Sequence, residues 1–137
     1  MAIQLSVAAR NARLDAIETA AGTAPILRIY DLTAGAPANC AAAITGTVLA
    51  EITCPSDWAG AASNGAKALS GSWADSSANA AGTADFFRLY ASDGTTCHIQ
   101  GTVTATGAGG DLTLDNTSIA SAQSVTITSF TLTDGNA

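Results

Sequence analysis

The stretch "LRIYD", Leu27–Asp31, returns in altered form as "FRLYA", Phe87–Ala91. Successive side chains of a strand point to opposite faces, so in each copy the Arg and Tyr share one face. Leu27 with Ile29, and Phe87 with Leu89, share the other. Both stretches therefore read as similar sheet strands with one plainly apolar side, and the pattern admits their being neighbours. Arg28, Tyr30, Arg88 and Tyr90 are expected to form an outward polar and aromatic strip, which holds two of the five cations in the chain. Arg and Tyr are favoured where interfaces are built, so the strip is a candidate partner-contact surface rather than an active-site signature.

Outward from these two strands, everything after Pro25 is short segments rich in Val, Ile, Leu, Thr and aromatics, parted by Gly, Asn, Asp, Ser and Pro. Strands are expected near residues 26–33, 47–53, 66–73, 86–91, 96–106, 111–114 and 124–133. "RLYASDGTTCHI" predicts a hairpin turning at Ser92, Asp93 and Gly94, where Gly takes a positive φ. "TVTATGAGGDLTLD" predicts a second, turning through Gly107, Gly109 and Gly110. In the last strand the apolar side changes face near Ser129, which implies a bulge or burial on both faces. The expected fold is mainly β: an antiparallel β-sandwich or small barrel of about seven strands preceded by one N-terminal α-helix.

That helix is read from "SVAARNARLDAIETAAG". Ser6 caps it, Gly22 stops it, and Val7, Leu14, Ile17 and Ala21 recur at intervals of three, four and seven. The stripe is narrow and must dock either on its own domain or on a neighbour, which adds Val7, Leu14 and Ile17 to the candidate partner contacts. Residues 1–24 thus form a helical segment and 25–137 a single β domain. "PANCAAAITG" and "ADSSANAAGTAD" are long small-residue loops, and neither divides the domain.

At 137 residues the chain fits one domain. Hydrophobic residues make up 47% but aromatics only 5%, so alanine supplies much of the apolar count and the core rests on scattered large side chains. Charged residues are 12%, about half of the roughly 25% usual in soluble domains, which suits a surface partly covered by other subunits. With a net charge of −6 and no cluster of Lys or Arg, nucleic-acid binding is set aside. No basic segment precedes an apolar run at the start, and no stretch approaches the ~20 apolar residues that cross a bilayer.

Reaction chemistry finds little footing. His98 is the only histidine, and Cys97 beside it projects to the opposite face of a strand, which is poor geometry for a joint metal site or a thiolate–imidazole pair. No G-x-S-x-G elbow occurs. Asp111 and Asp115 lack the six to eight oxygens that calcium requires, and "GAGG" has no following Lys-Ser or Lys-Thr, so it reads as a turn rather than a phosphate loop. Neither a catalytic residue nor a cofactor or metal site is expected. Trp58 and Trp73, if exposed, would suit stacking on sugar rings, the basis of an alternative reading as a carbohydrate-binding module. Cys40, Cys54 and Cys97 read as reduced thiols, with a Cys40–Cys97 disulfide as the sharper alternative because each follows an Arg-x-Tyr strand by a short turn.

Three stretches, "ARNARLDAIETAAGTAPILRIY", "PANCAAAITGTVLAEITCPSDW" and "GTTCHIQGTVTATGAGGDLTLDNTSIASAQSVTITSFTLT", together resemble small virion proteins from the structural gene blocks of tailed bacteriophages. The resemblance implies a non-enzymatic head decoration or cement protein, assembled in the host cytoplasm and resident in the virion. Its implied partners are the major capsid protein or other virion proteins, and it implies a homo-oligomer, with a trimer favoured. A tail, neck or fibre component is the nearest rival.

Overall fold

The computed structural model describes residues 1–136. Helix α1 spans Val7–Ala21. The Ser6 hydroxyl accepts from the Ala9 amide at 3.2 Å, and Gly22, at φ 76°, donates its N–H to the Glu18 carbonyl at 2.9 Å. Both ends fall where the sequence sets them, because each cap is made by a residue within four positions of its partner.

Eleven strands follow: β1 Ile26–Leu32, β2 Gly46–Thr53, β3 Ala66–Ala68, β4 Trp73–Asp75, β5 Gly82–Thr83, β6 Phe86–Tyr90, β7 Cys97–Ala105, β8 Leu112–Leu114, β9 Ser118–Ile119, β10 Val125–Ile127 and β11 Thr131–Thr133. Five of them make one sheet, ordered β2-β1-β6-β7-β8 and curled into a half-barrel, while β10–β4, β11–β3 and β5–β9 are two-stranded ribbons. The protein is mainly β with one helix. The seven-strand sandwich or barrel is corrected to this larger set of short strands in several small sheets.

Two expected strands are each split, and at the same place. Ala66 pairs with Thr133 and Ala68 with Thr131, whereas Trp73 pairs with Ile127 and Asp75 with Val125. Between the two ladders Ser70, Gly71 and Ser72 oppose only Thr128 and Ser129. The extra residue turns at Gly71, whose φ of 73° favours glycine. This slip is the physical reason that the apolar side changes face near Ser129: Val125 and Ile127 point inward before it, and Phe130 after it.

The second predicted hairpin is also corrected. β7 and β8 run parallel, with Val103 opposite Leu112 and Ala105 opposite Leu114. The loop between them folds back along the strand and is tied down by side chains: Asp111 Oδ2 accepts from the Thr102 amide and hydroxyl, each at 2.9 Å, and Thr104 Oγ1 accepts from the Gly110 amide at 2.9 Å. A Cβ at Gly110 would stand 2.7 Å from that hydroxyl, so the close return needs glycine there. The first hairpin, β6–β7, forms as expected, with Asp93 capping Thr95 and Thr96 and Gly94 at φ 67°.

Trp58, Trp73, Phe130 and Phe87 form a chain of rings through the core, with successive centroids 6.1, 5.5 and 5.7 Å apart. Trp58 is 1% exposed and Trp73 0%. The indoles are spent on packing, and neither offers a face to a sugar. Helix α1 lies on this body through Leu14 and Ala21. Beneath it the buried Lys67 ammonium reaches Asp15 at 2.7 Å and Glu18 at 2.6 Å. The helix therefore docks on its own domain.

Candidate functional site

β1 and β6 are neighbours, and their antiparallel register sets Arg28 directly across from Arg88. Extending that row across the sheet places Glu51 of β2 beside Arg28 and Gln100 of β7 beside Arg88. Two like charges facing each other across a ladder repel. The row separates them by pulling each guanidinium outward: Arg28 Nε donates to Glu51 Oε2 at 2.6 Å, and Arg88 Nε donates to Gln100 Oε1 at 3.1 Å.

Arg28 also donates to the Gly94 carbonyl at 2.8 Å, and its guanidinium lies 5.0 Å from the centre of the Tyr90 ring. The Glu51 carboxylate beside it holds its pKa above the ordinary value. Arg88 is bound differently. Its Nη2 donates to the Asn39 carbonyl at 3.0 Å and the Ala42 carbonyl at 2.9 Å, both in the loop between β1 and β2. Gln100 Nε2 donates to the Pro37 carbonyl of the same loop at 3.0 Å. The tyrosines complete the strip with a 2.8 Å bond between their hydroxyls. Burial, and then the Tyr90 hydroxyl, raise the Tyr30 pKa, so the phenol stays protonated at any physiological pH.

The four residues of the repeat are thus brought together on one face, as the pattern predicts, but most of that face is covered from within. Tyr30 and Arg88 are 4% exposed and Tyr90 5%; Arg28 alone reaches the surface. The expectation of an outward strip is corrected because the loop of residues 33–45 lies over it. Nothing in the strand alternation marks that cover: Asn39 and Ala42 are 49 and 46 residues from the arginine they bind.

The helical candidates also divide. Leu14 is buried against the domain, Ile17 is half-buried, and Val7 is 45% exposed. Arg13, Leu14, Ala16 and Ile17 form one wall of a groove of about 540 Å³ whose other wall is residues 133–136. Met1, Ile3 and Val7 are the large apolar side chains left exposed among the described residues, and all lie in the first seven positions.

Strand β7 carries a further irregularity. Leu89 pairs with Ile99 but Tyr90 pairs with Cys97, so His98 is an extra residue in the ladder. Among the described residues no group of three or more His, Cys, Asp or Glu is gathered to hold a metal ion, and no helix is long and apolar enough to cross a membrane. No protein-family model, curated protein or solved structure matches the chain.

Proposed function

We propose that the protein is a non-enzymatic structural component of a tailed-phage virion, a decoration protein that binds the head lattice and stabilises it through buried interface area. The observation that carries this reading is the likeness of three stretches, spanning most of the chain, to small virion proteins. Its low charge and small-residue surface support it. So do the exposed Met1, Ile3 and Val7, since apolar side chains gathered at one end of a chain suit a contact surface. Within this proposal the contact shifts from the covered Arg–Tyr strip to Val7 and the helix groove, with Arg28 as the reachable part of the strip. Bridging capsomers links the stability of the head to occupancy of the decoration site.

Cryo-electron microscopy of purified virions tests the reading. Density for this chain on the head surface, as a homo-oligomer with three copies expected, supports it; a head surface without the chain overturns it. Density at the tail, neck or fibres would transfer the protein to those structures. Within a positive result, Val7→Asp is expected to lower head occupancy at least tenfold, because a carboxylate would have to be desolvated in the contact.

A further inference from the structure

The extra residue at His98 has a directional effect on Cys97. In an unbroken ladder Cys97 would alternate with His98 and point with Leu89 and Ile99 toward the core. The bulge advances the register by one, so Cys97 pairs with Tyr90 and shares the face of Tyr90, Arg88 and Gln100. That is the face over which residues 33–45 lie, and Cys40 sits on the turn that Arg88 grips from both sides, at Asn39 and Ala42. The turn itself is preset: Asn39 Oδ1 accepts from the Ala41 amide at 2.9 Å and the Ala42 amide at 3.0 Å. Cys40 lies against the Cys97 thiol, and both cysteines are partly exposed. Cys54 is buried elsewhere, its amide bonded to the Pro25 carbonyl just before β1.

We propose that Cys40 and Cys97 are a disulfide-forming pair, a redox latch that locks the loop of residues 33–45 over the Arg–Tyr strip when the protein meets a low-molecular-weight disulfide. The inference is independent of the virion reading. In the first exchange the Cys40 thiolate attacks one sulfur of the external disulfide, forming a mixed disulfide and expelling one thiolate. In the second, Cys97 loses its proton to solvent and attacks the Cys40 sulfur, breaking the mixed bond and expelling the second thiolate. The pair gives up two electrons and two protons, and the external disulfide becomes two thiols. Burial, followed by the neighbouring Cys40 thiol, pushes the Cys97 thiol up to about 12. The second exchange is therefore slow at neutral pH and accelerates about tenfold per pH unit below that value.

Oxidised glutathione added to the purified full-length chain at pH 8 is the test, read by intact mass, by peptide mapping and by thermal unfolding. The expected product is a monomer about 2 Da lighter, with a Cys40–Cys97 linked peptide. Its Tm is raised by about 5–10 °C, and dithiothreitol reverses the change. Cys54→Ser leaves this product intact, whereas Cys40→Ser or Cys97→Ser abolishes it. Three thiols that remain free, a stable glutathione adduct without the 2 Da loss, or a disulfide between chains would each overturn the proposal. Should Cys97→Ser fold poorly, limited proteolysis of the wild type decides: loop cleavage must slow on oxidation and recover on reduction.

Discussion

Two buried cations fasten two appended segments to the same β body, and they do it with different chemistry. Lys67 holds helix α1 through two carboxylates, Asp15 and Glu18. Arg88 holds the loop of residues 33–45 through two backbone carbonyls and the Gln100 amide. The difference follows from side-chain shape: an ammonium is a point charge that gathers counter-charges, while a planar guanidinium spreads donors across neutral acceptors. Charge pairing makes the first fastening responsive to acid. The second contains no carboxylate, which leaves it indifferent to pH and dependent on geometry.

Removing each cation is the most direct way to break the comparison. Lys67→Ala leaves Asp15 and Glu18 facing an apolar gap, and a loss of about 2–3 kcal/mol is expected in urea unfolding. The value sits below that of a fully buried pair because the Asp15 side chain is 54% exposed and water screens it. Hydrogen exchange should quicken in α1 and stay unchanged in residues 33–45. Arg88→Ala should reverse that pattern, with a loss of about 1–2 kcal/mol and faster proteolysis of the loop. Arg88→Lys is not expected to restore the loop, because one ammonium cannot span Asn39, Ala42 and Gln100 together.

Acid sharpens the contrast further. Hydrogen bonding from Lys67 holds the Asp15 carboxyl below its ordinary value. The folded chain thus binds that proton more weakly than the unfolded chain, and this contribution to stability is present above about pH 4 and lost as pH falls through the folded value. Exchange in α1 should accelerate on acidification, and Lys67→Met should remove that acid response. Asp93, held low by the Thr96 hydroxyl and amide, and Asp111, held low by Thr102, act in the same direction elsewhere. Asp85 opposes them, since burial and then Asp31 raise its pKa. The smallest effect is expected at the exposed end of the arginine row, where Glu51→Gln should cost less than about 1 kcal/mol and shrink with added salt.

What could be read from residues alone tracks how far apart the interacting groups lie along the chain. Ser6 and Gly22 announce the helix because a cap is settled within one turn. The period-2 alternation of "LRIYD" and "FRLYA" announces two matched strands, and the side-chain face holds. The cover over that face is invisible, since Asn39 and Ala42 contribute backbone carbonyls, which every residue type has. Lys67 in "GAKAL" gives no hint of burial either, because its partners Asp15 and Glu18 look like the polar face of a surface helix. The parallel return of β8 escapes for a related reason: glycines permit a tight hairpin and a tight crossover alike, and the choice rests on Asp111 reaching Thr102.

The order β2-β1-β6-β7-β8 also divides the sheet by sequence distance. β1 with β2, and β6 with β7 and β8, are units of near neighbours, whereas the β1–β6 seam joins residues distant in sequence, such as Tyr30 and Tyr90, 60 positions from each other. Closing that seam carries the largest loop-closure entropy in the sheet, so the two local units are expected to form first and the seam last. Tyr30→Phe, which removes the hydroxyl bond across the seam, should speed unfolding and leave refolding unchanged. Gly94→Ala, which strains the β6–β7 turn, should slow refolding itself. A refolding rate that drops for Tyr30→Phe would instead place the seam in the nucleus.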